Sequence, residues 1–526
     1  MERTFSWRPG VLAALAMTLL ALLPQVHLWY TRGGDWQGAY ASFDGDETAY
    51  AAYLAALIEG RPRLNDPYAG LDHAADGRRA ESLFSIQFVP PYALALVARA
   101  LGLNASTVFV ALTPLVAFAV ALALFWLLVP LVADARLAAC GVVIILCFGT
   151  LASGEISLAL LLKLRASYAY LPFLRRYVPA LPFPFLFIFC ALVWRALAHA
   201  SRRASLSYAV AAGATFALLV YSYFYLWTTA AAWLACLALL RLAARRSDGR
   251  TRDAGIFLTT GALACASLVP YAVLIARRAP TMDAVQVLQF TRAPDLFRAP
   301  EIISLAALVL LAAFAWRGRL RATRDATFLY AASFALTPFV VFNQQLLTGR
   351  SLQPVHYADY VLNYLALLAL VLAVALCLRP GDESDPAKPR SATTPRGPAS
   401  VPPRFSHAAR AFSPAARRFL SAARAITTAA RVFLSAGRRY PARVFLCVAL
   451  AAYDWAAFEL VATTRRFAPV NRERDEQARV ASRVAEMARE GDIHPGHADT
   501  NARTLARPVI LATSFMLADN LPVGAP

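Results

Sequence analysis

A chain of 526 residues with 59% hydrophobic and only 16% charged residues, and a mean hydropathy of +0.50, is too apolar for a soluble protein and has the composition of an integral membrane protein. Its formal net charge of +20 does not point to nucleic acid, because about half of it lies between Arg379 and Arg443 and most of the rest borders apolar runs. The seven cysteines (Cys140, Cys147, Cys190, Cys236, Cys265, Cys377, Cys447) all lie inside apolar runs, where they can build neither a loop disulfide framework nor a loop metal site.

A bilayer core of roughly 30 Å calls for about 20 apolar residues per helix, and the chain supplies such runs for about eleven spans. The first, 11–30, lacks a small-residue cleavage site and is followed by further spans, which predicts a retained helix. Residues 31–104 are expected to form a large first extracytoplasmic loop, with "VPPYALALVARALGL" as a membrane-surface helix. Were residues 86–101 a span, every later loop would invert. The remaining spans are predicted near 105–130, 137–161, 182–200, 207–241 (a pair broken at Tyr221–Trp227), 254–276, 301–317, 326–342, 358–379 and 443–464. In that order Arg136, Arg202 with Arg203, Arg241 to Arg252, Arg317 to Arg324 and the basic stretch after Arg379 all face the cytoplasm, as the positive-inside bias requires. The amino terminus is then inside and the carboxyl-terminal sixty or so residues outside.

This organisation divides the chain into a transmembrane domain over 1–379, a basic cytoplasmic linker over 380–442, a last transmembrane helix over 443–464 and an extracytoplasmic segment over 465–526. The linker opens as a Pro/Ser-rich stretch too polar to pack. It continues as an aliphatic/Arg repeat at helical spacing that suits an anionic leaflet. Beyond the last span a charged helix is expected over Arg472 to Glu490, followed by the apolar "RPVILATSF" and "MLADNLP". A single strand there cannot stand alone, so it packs on the membrane domain or belongs to an incomplete α/β unit.

The segment "SFDGDETAYAAYLAALIEG" places Asp44, Asp46 and Glu47 within four positions after the first span. Tyr50, Tyr53, Leu54, Leu57 and Ile58 recur at helical spacing and Gly60 with Pro62 ends the run, predicting a short amphipathic helix flat on the outer surface with its tyrosines at headgroup level. Asp46 at its entrance is either a plain helix cap or a functional acid. Three clustered carboxylates repel one another, a poor way to cap but a way to raise a pKa or hold a divalent cation. The external loops also carry more arginine than orientation rules favour: Arg175, Arg176, Arg277, Arg278, Arg292, Arg298 and Arg350. A phosphate or pyrophosphate at the outer surface explains that excess, since guanidinium binds it bidentately. A carboxylate base, an arginine clamp and a membrane frame suit transfer from a lipid-linked phosphate donor with inversion at the anomeric centre.

"DETAYAAYLAALIEG" resembles the Asp-Glu, aromatic, small-helix and Gly pattern after the first span of the GT-C superfamily of membrane glycosyltransferases, including aminoarabinose transferases and protein O-mannosyltransferases, and "PPYALAL" resembles their Pro-Pro surface helix. The match covers about residues 44 to 95. The Lys usual before the Pro-Pro pair is absent, "QFVPPY" standing there. The resemblance implies a GT-C-like bundle, a polyprenyl-phosphate or polyprenyl-pyrophosphate sugar donor, and Asp46 as catalytic base supported by Glu47, with Asp44 a rival. It also implies a second acidic position after the third span, for which Glu155 is the candidate, either near the site with Asp44 and Asp46 around a metal or in helix–helix hydrogen bonding. Lys163 and Arg165 behind it are explained by snorkelling.

Other candidates are plainer. "NQQLLTGRSLQPVHY" carries Asn343, Gln344, Gln345, Arg350, His356 and Tyr357, a set able to bind sugar hydroxyls or phosphate, or else a turn built around Thr348-Gly349. His73 reads as a solvated loop histidine. "YSYFYLW" at 221–227 reads as an aromatic belt or as a flank for a lipid donor. No Gly-rich nucleotide loop, Cys/His zinc spacing or nucleophile elbow occurs, which argues against ATP and nucleotide sugars. The expectation is therefore an all-α polytopic membrane protein of a bacterial inner membrane, in contact with its lipids, using Asp46, Asp44 and Glu47 in catalysis. Arg175, Arg176, Arg350, His356, Tyr357 and Tyr50 would bind substrate. The alternative is a polytopic transporter or lipid flippase, against which the absence of an inverted repeat weighs.

Overall fold

The computed structural model describes residues 5–68, 72, 80–154, 163, 171–244, 247–316, 325–378 and 440–490. Glu155, His73, Arg165, most of the 380–442 linker and the apolar runs after Glu490 lie outside the described residues. Almost everything described is helical; the strands β1 (Leu288–Phe290) and β2 (Arg350–Leu352) pair antiparallel with Gln289 opposite Ser351.

Among the described residues nine helices are long and apolar enough to cross a membrane. They include α1 (Arg8–Arg32), α4 (Ala105–Val132), α7 (Arg202–Val220), α8 (Phe224–Ala244), α9 (Ser247–Ala276), α10 (Ala299–Trp316) and α11 (Ala326–Phe342). The last two are α12, the run Pro354–Leu378, and α13 (Pro441–Glu490). Two shorter apolar helices, α5 (Ala135–Cys147) and α6 (Phe183–Ala198), pack among these, α5 against α1, α4 and α13 and α6 against α4 and α7. The chain is thus an all-α, multi-pass membrane protein. Asparagine and aspartate start several of the helices: Asn104 accepts the Thr107 N–H at 2.8 Å, and Asp134 and Asp325 each accept two N–H groups from the first turns of α5 and α11. Internal prolines such as Pro114 in α4 and Pro338 in α11 are tolerated because neighbouring helices cover the interrupted ladder.

Two ends of the bundle can be told apart. At one, the last turn of α4 meets α11 through Thr327 Oγ1 donating to the Leu131 carbonyl (3.4 Å), Arg195 stacks on Trp126 at 3.9 Å, and Arg252 donates to the His199 carbonyl. This end carries Arg136, Arg202, Arg203 and the Arg241–Asp253 pair (3.0 Å). At the other, the first loop is stitched to later loops: Glu81 exchanges backbone hydrogen bonds of 2.9 Å with Arg277 and Ala279, and the Val89 N–H donates to the Tyr221 carbonyl at 3.2 Å. Helix α3 (Val89–Leu101) has 13 residues, about 20 Å at 1.5 Å per residue. It starts at this end, and α4 begins here too, since Arg176 reaches the Phe109 carbonyl at 2.9 Å. The 86–101 segment therefore does not cross.

Three expectations need correction. Helix α2 (Asp46–Ile58) is not a surface helix: Tyr53 and Leu54 are wholly buried and Tyr50 nearly so, because α3 and α4 pack on it from two sides and its alanines let them approach. The third span, expected over 137–161, is not one unbroken helix over its described part: α5 ends at Cys147, and a separate turn, Gly149–Ser153, closes on Gly154 at a φ of +83°, while 155–161 lie outside the described residues. The last span and the charged helix are one element, the 50-residue α13, about 75 Å long, which leaves the bundle at the end where the first loop lies.

A cavity between the first loop and two later loops

Glycine at 45 precedes α2, and the Asp44 carboxylate accepts the Asp46 N–H at 2.9 Å. The N-cap is Gly45, with Asp44 just ahead of it holding the first helical N–H, while Asp46, at the first helical position, projects its side chain into open space with 62% exposed. The three carboxylates do not converge. Asp44 and Asp46 both face Arg175, whose Nη1 lies 3.0 Å from Asp46 and 3.4 Å from Asp44. Glu47 turns the other way and pairs with Arg176 at 3.0 Å with both side chains buried. Arg176 also donates to the Ala41 and Phe109 carbonyls, so it is used up inside the protein and is not placed to hold a substrate phosphate.

Arg175 is held from behind by the Val178 carbonyl (3.1 Å). Its Nη2 donates to the phenol oxygens of Tyr50 (3.2 Å) and Tyr223 (3.4 Å), and the Tyr360 ring lies under the guanidinium at 4.9 Å. Burial pushes the Tyr50 and Tyr223 phenols up, so both remain protonated and keep an O–H to donate. Burial also raises the Asp46 pKa; Arg175 pulls it back down and Asp44 pushes it up. Because most of the side chain is exposed to the cavity, water weakens that upward push.

Asp46, Tyr50, Arg175 and Tyr223 line one wall of a cavity of about 710 Å³, and Arg278, Arg350, Gln353 and His356 line it as well. Phe84, Phe224, Tyr225 and Tyr271 give it a largely aromatic surface. The strand pair fixes the later loops: Arg350 stands opposite Phe290 in register with its guanidinium over that ring at 5.7 Å. Among the described residues no carboxylate pairs with Arg350, whereas Arg278 is bound twice by Asp283 (2.8 and 2.7 Å). Tyr225 stacks on His356 with centroids 5.1 Å apart and donates to Gln353 Oε1 at 2.8 Å. Tyr357, by contrast, is buried outside the lining, its hydroxyl 2.9 Å from Thr228 Oγ1.

Of the residues singled out from the sequence, then, Asp46, Tyr50, Arg175, Arg350 and His356 come together at the cavity, Asp44 stands behind Asp46, and Glu47, Arg176 and Tyr357 face elsewhere. The Thr348-Gly349 turn exists, with Gly349 at a φ of +71°, and Arg350 follows directly from it. The "YSYFYLW" segment is not an outward belt, since Tyr223 and Tyr225 are buried and face the cavity. Among the described residues no group of three or more His, Cys, Asp or Glu side chains is placed to hold a metal ion; Asp44 and Asp46 share the cation Arg175 instead.

Sequence reading missed Asn471, Arg474 and Asp475, three buried polar residues of α13 that grip the loop leading to Asp44. Their signal was available: positions 471, 474 and 475 fall on one helix face. Compared with known proteins, the chain matches no family model and no curated protein.

Proposed function

We propose that this chain is a membrane glycosyltransferase that moves a sugar from a polyprenyl-phosphate or polyprenyl-pyrophosphate donor to an acceptor hydroxyl at the extracytoplasmic face of a bacterial inner membrane, by single displacement with inversion. Asp46 takes the acceptor proton as the hydroxyl attacks the anomeric carbon; the bond to the donor phosphate breaks, and the phosphate leaves with the electron pair. Arg350 offsets its charge, and the phenols of Tyr50 and Tyr223 with the Gln353 amide offer partners to sugar hydroxyls. The amino terminus lies in the cytoplasm and the carboxyl end outside, so that the Arg136, Arg203 and Arg252 end obeys the positive-inside bias.

The observation that carries this reading is that an accessible Asp46 and Arg350, which among the described residues forms no ion pair, line one aromatic-walled cavity at the end of a membrane bundle. There an apolar chain and a phosphate can be met together. The resemblance of residues 44–95 to GT-C enzymes supports it. The test supplies the purified full-length protein with a panel of polyprenyl-phosphate sugars and compares it with Asp46→Asn. Removing a general base lowers turnover by about a hundredfold to ten-thousandfold. Equal turnover would defeat the assignment of Asp46, and no turnover with any donor, with movement of lipid across the bilayer instead, would favour a transporter.

A further inference from the structure

The loop that delivers Asp46 is fastened to a helix more than 420 residues away in sequence. Asp475 is completely buried and accepts three hydrogen bonds: from Arg32 Nε at 2.8 Å, the Gln37 N–H at 2.9 Å and the Ala39 N–H at 3.2 Å. One turn earlier, the Asn471 amide binds both backbone groups of Ser42, accepting its N–H at 2.9 Å and donating to its carbonyl at 3.0 Å. Phe467 packs edge-on against Phe43 at 5.6 Å, and the Arg474 guanidinium lies 4.6 Å above the Tyr40 ring. The stretch 37–43 is thus held along its length by successive turns of α13.

From Ser42 the linkage runs on to the acids. The Ser42 hydroxyl donates to the Asp44 carbonyl at 3.0 Å, and Asp44 in turn holds the Asp46 N–H. We propose that Asn471 and Asp475 are positioning residues for Asp46: α13 fixes the register of residues 37–44 and so the place of the carboxylate against Arg175. This rests on the reading of Asp46 as base. Burying a carboxylate costs more than an apolar contact unless it is fully partnered, and Asp475 finds its partners in Arg32 and in two backbone amides of this loop. That cost is offset only where the loop adopts this one conformation.

The test uses the full-length protein in lipid nanodiscs, with Asn471→Ala, Asp475→Asn and, on the exposed far part of the same helix, Glu486→Gln. Hydrogen exchange over residues 42–47 should quicken at least about tenfold in the first two. With a polyprenyl-phosphate sugar that the native protein uses, kcat should fall about tenfold to a hundredfold, as expected of a small misplacement of a catalytic group, while KM stays within about twofold. Glu486→Gln should match the native protein in both. Unchanged exchange at 42–47, or quickened exchange with native kcat, overturns the proposal. If Asp475→Asn does not fold, Asn471→Ala decides alone. If the native protein turns over no donor, the enzyme reading fails, and the exchange measurement by itself decides whether α13 holds the loop.

Discussion

Two neighbouring carboxylates one residue apart illustrate how burial assigns roles. Glu47 is enclosed with Arg176, and removing one partner of a buried ion pair strands the other: Glu47→Ala should cost about 3–5 kcal/mol, read as a lower unfolding midpoint in detergent. Asp46 behaves oppositely. Its folded-state pKa lies above the ordinary aspartate value, burial being the main cause. The protonated form therefore stabilises the fold at low pH, and that contribution is lost as pH rises through the folded value. Asp46→Asn, neutral throughout, should consequently melt at or above the native temperature at neutral pH while losing activity. The same shift moves the acid limb of the rate profile up from the ordinary aspartate value. Arg175→Met, by removing a charge that holds the pKa down, should move that limb further up. A limb that stays put in Arg175→Met would show that another group titrates. The acids, Arg175 and Arg350 were legible in the sequence as charges out of place on the loops of a membrane protein. The division of labour between Asp46 and Glu47 was not, because consecutive helical positions point about 100° apart and only the packed neighbours decide which direction is buried.

Packing of elements shows the same limit. Span positions follow from apolar run length, and the 86–101 segment reads as non-crossing because a span there would put the arginine clusters on the wrong side. Helix α2, however, looked amphipathic and is enclosed, since small residues such as Ala51, Ala52 and Ala56, all buried, mark a face that admits another helix and not one that rests on lipid. Gly149 makes a similar close approach: a Cβ there would run into the Tyr364 ring of α12, whereas one at Gly261 in α9 meets nothing within 4 Å. Gly149→Ala should then destabilise by about 1–3 kcal/mol through overpacking. Gly261→Ala should be neutral or stabilising by up to about 1 kcal/mol. Thermal unfolding of the two variants side by side checks the contrast, and equal effects would contradict the packing described. The role of α13 was hidden for a different reason: its charged half reads as a solvated helix unless its partner loop is known.

At the scale of the whole molecule, the bundle serves to bring three loops distant in sequence to one end: 37–47 with α2, 171–182, and the strand pair joining 288–290 to 350–352. The basic turns collect at the other end. The reaction proposed above uses that separation: an apolar donor held by the membrane, its phosphate at Arg350 and its anomeric carbon at an acceptor beside Asp46. The most direct test reconstitutes the full-length protein in liposomes. It fixes orientation with a membrane-impermeant thiol reagent on cysteines introduced at Thr348 and at Arg203, and measures sugar transfer with a polyprenyl-phosphate donor in the bilayer and a water-soluble acceptor on one side only. Transfer confined to the side where position 348 is labelled, and lost in Asp46→Asn, is the predicted result. Transfer from the side of position 203, or undiminished transfer by Asp46→Asn, would contradict the account.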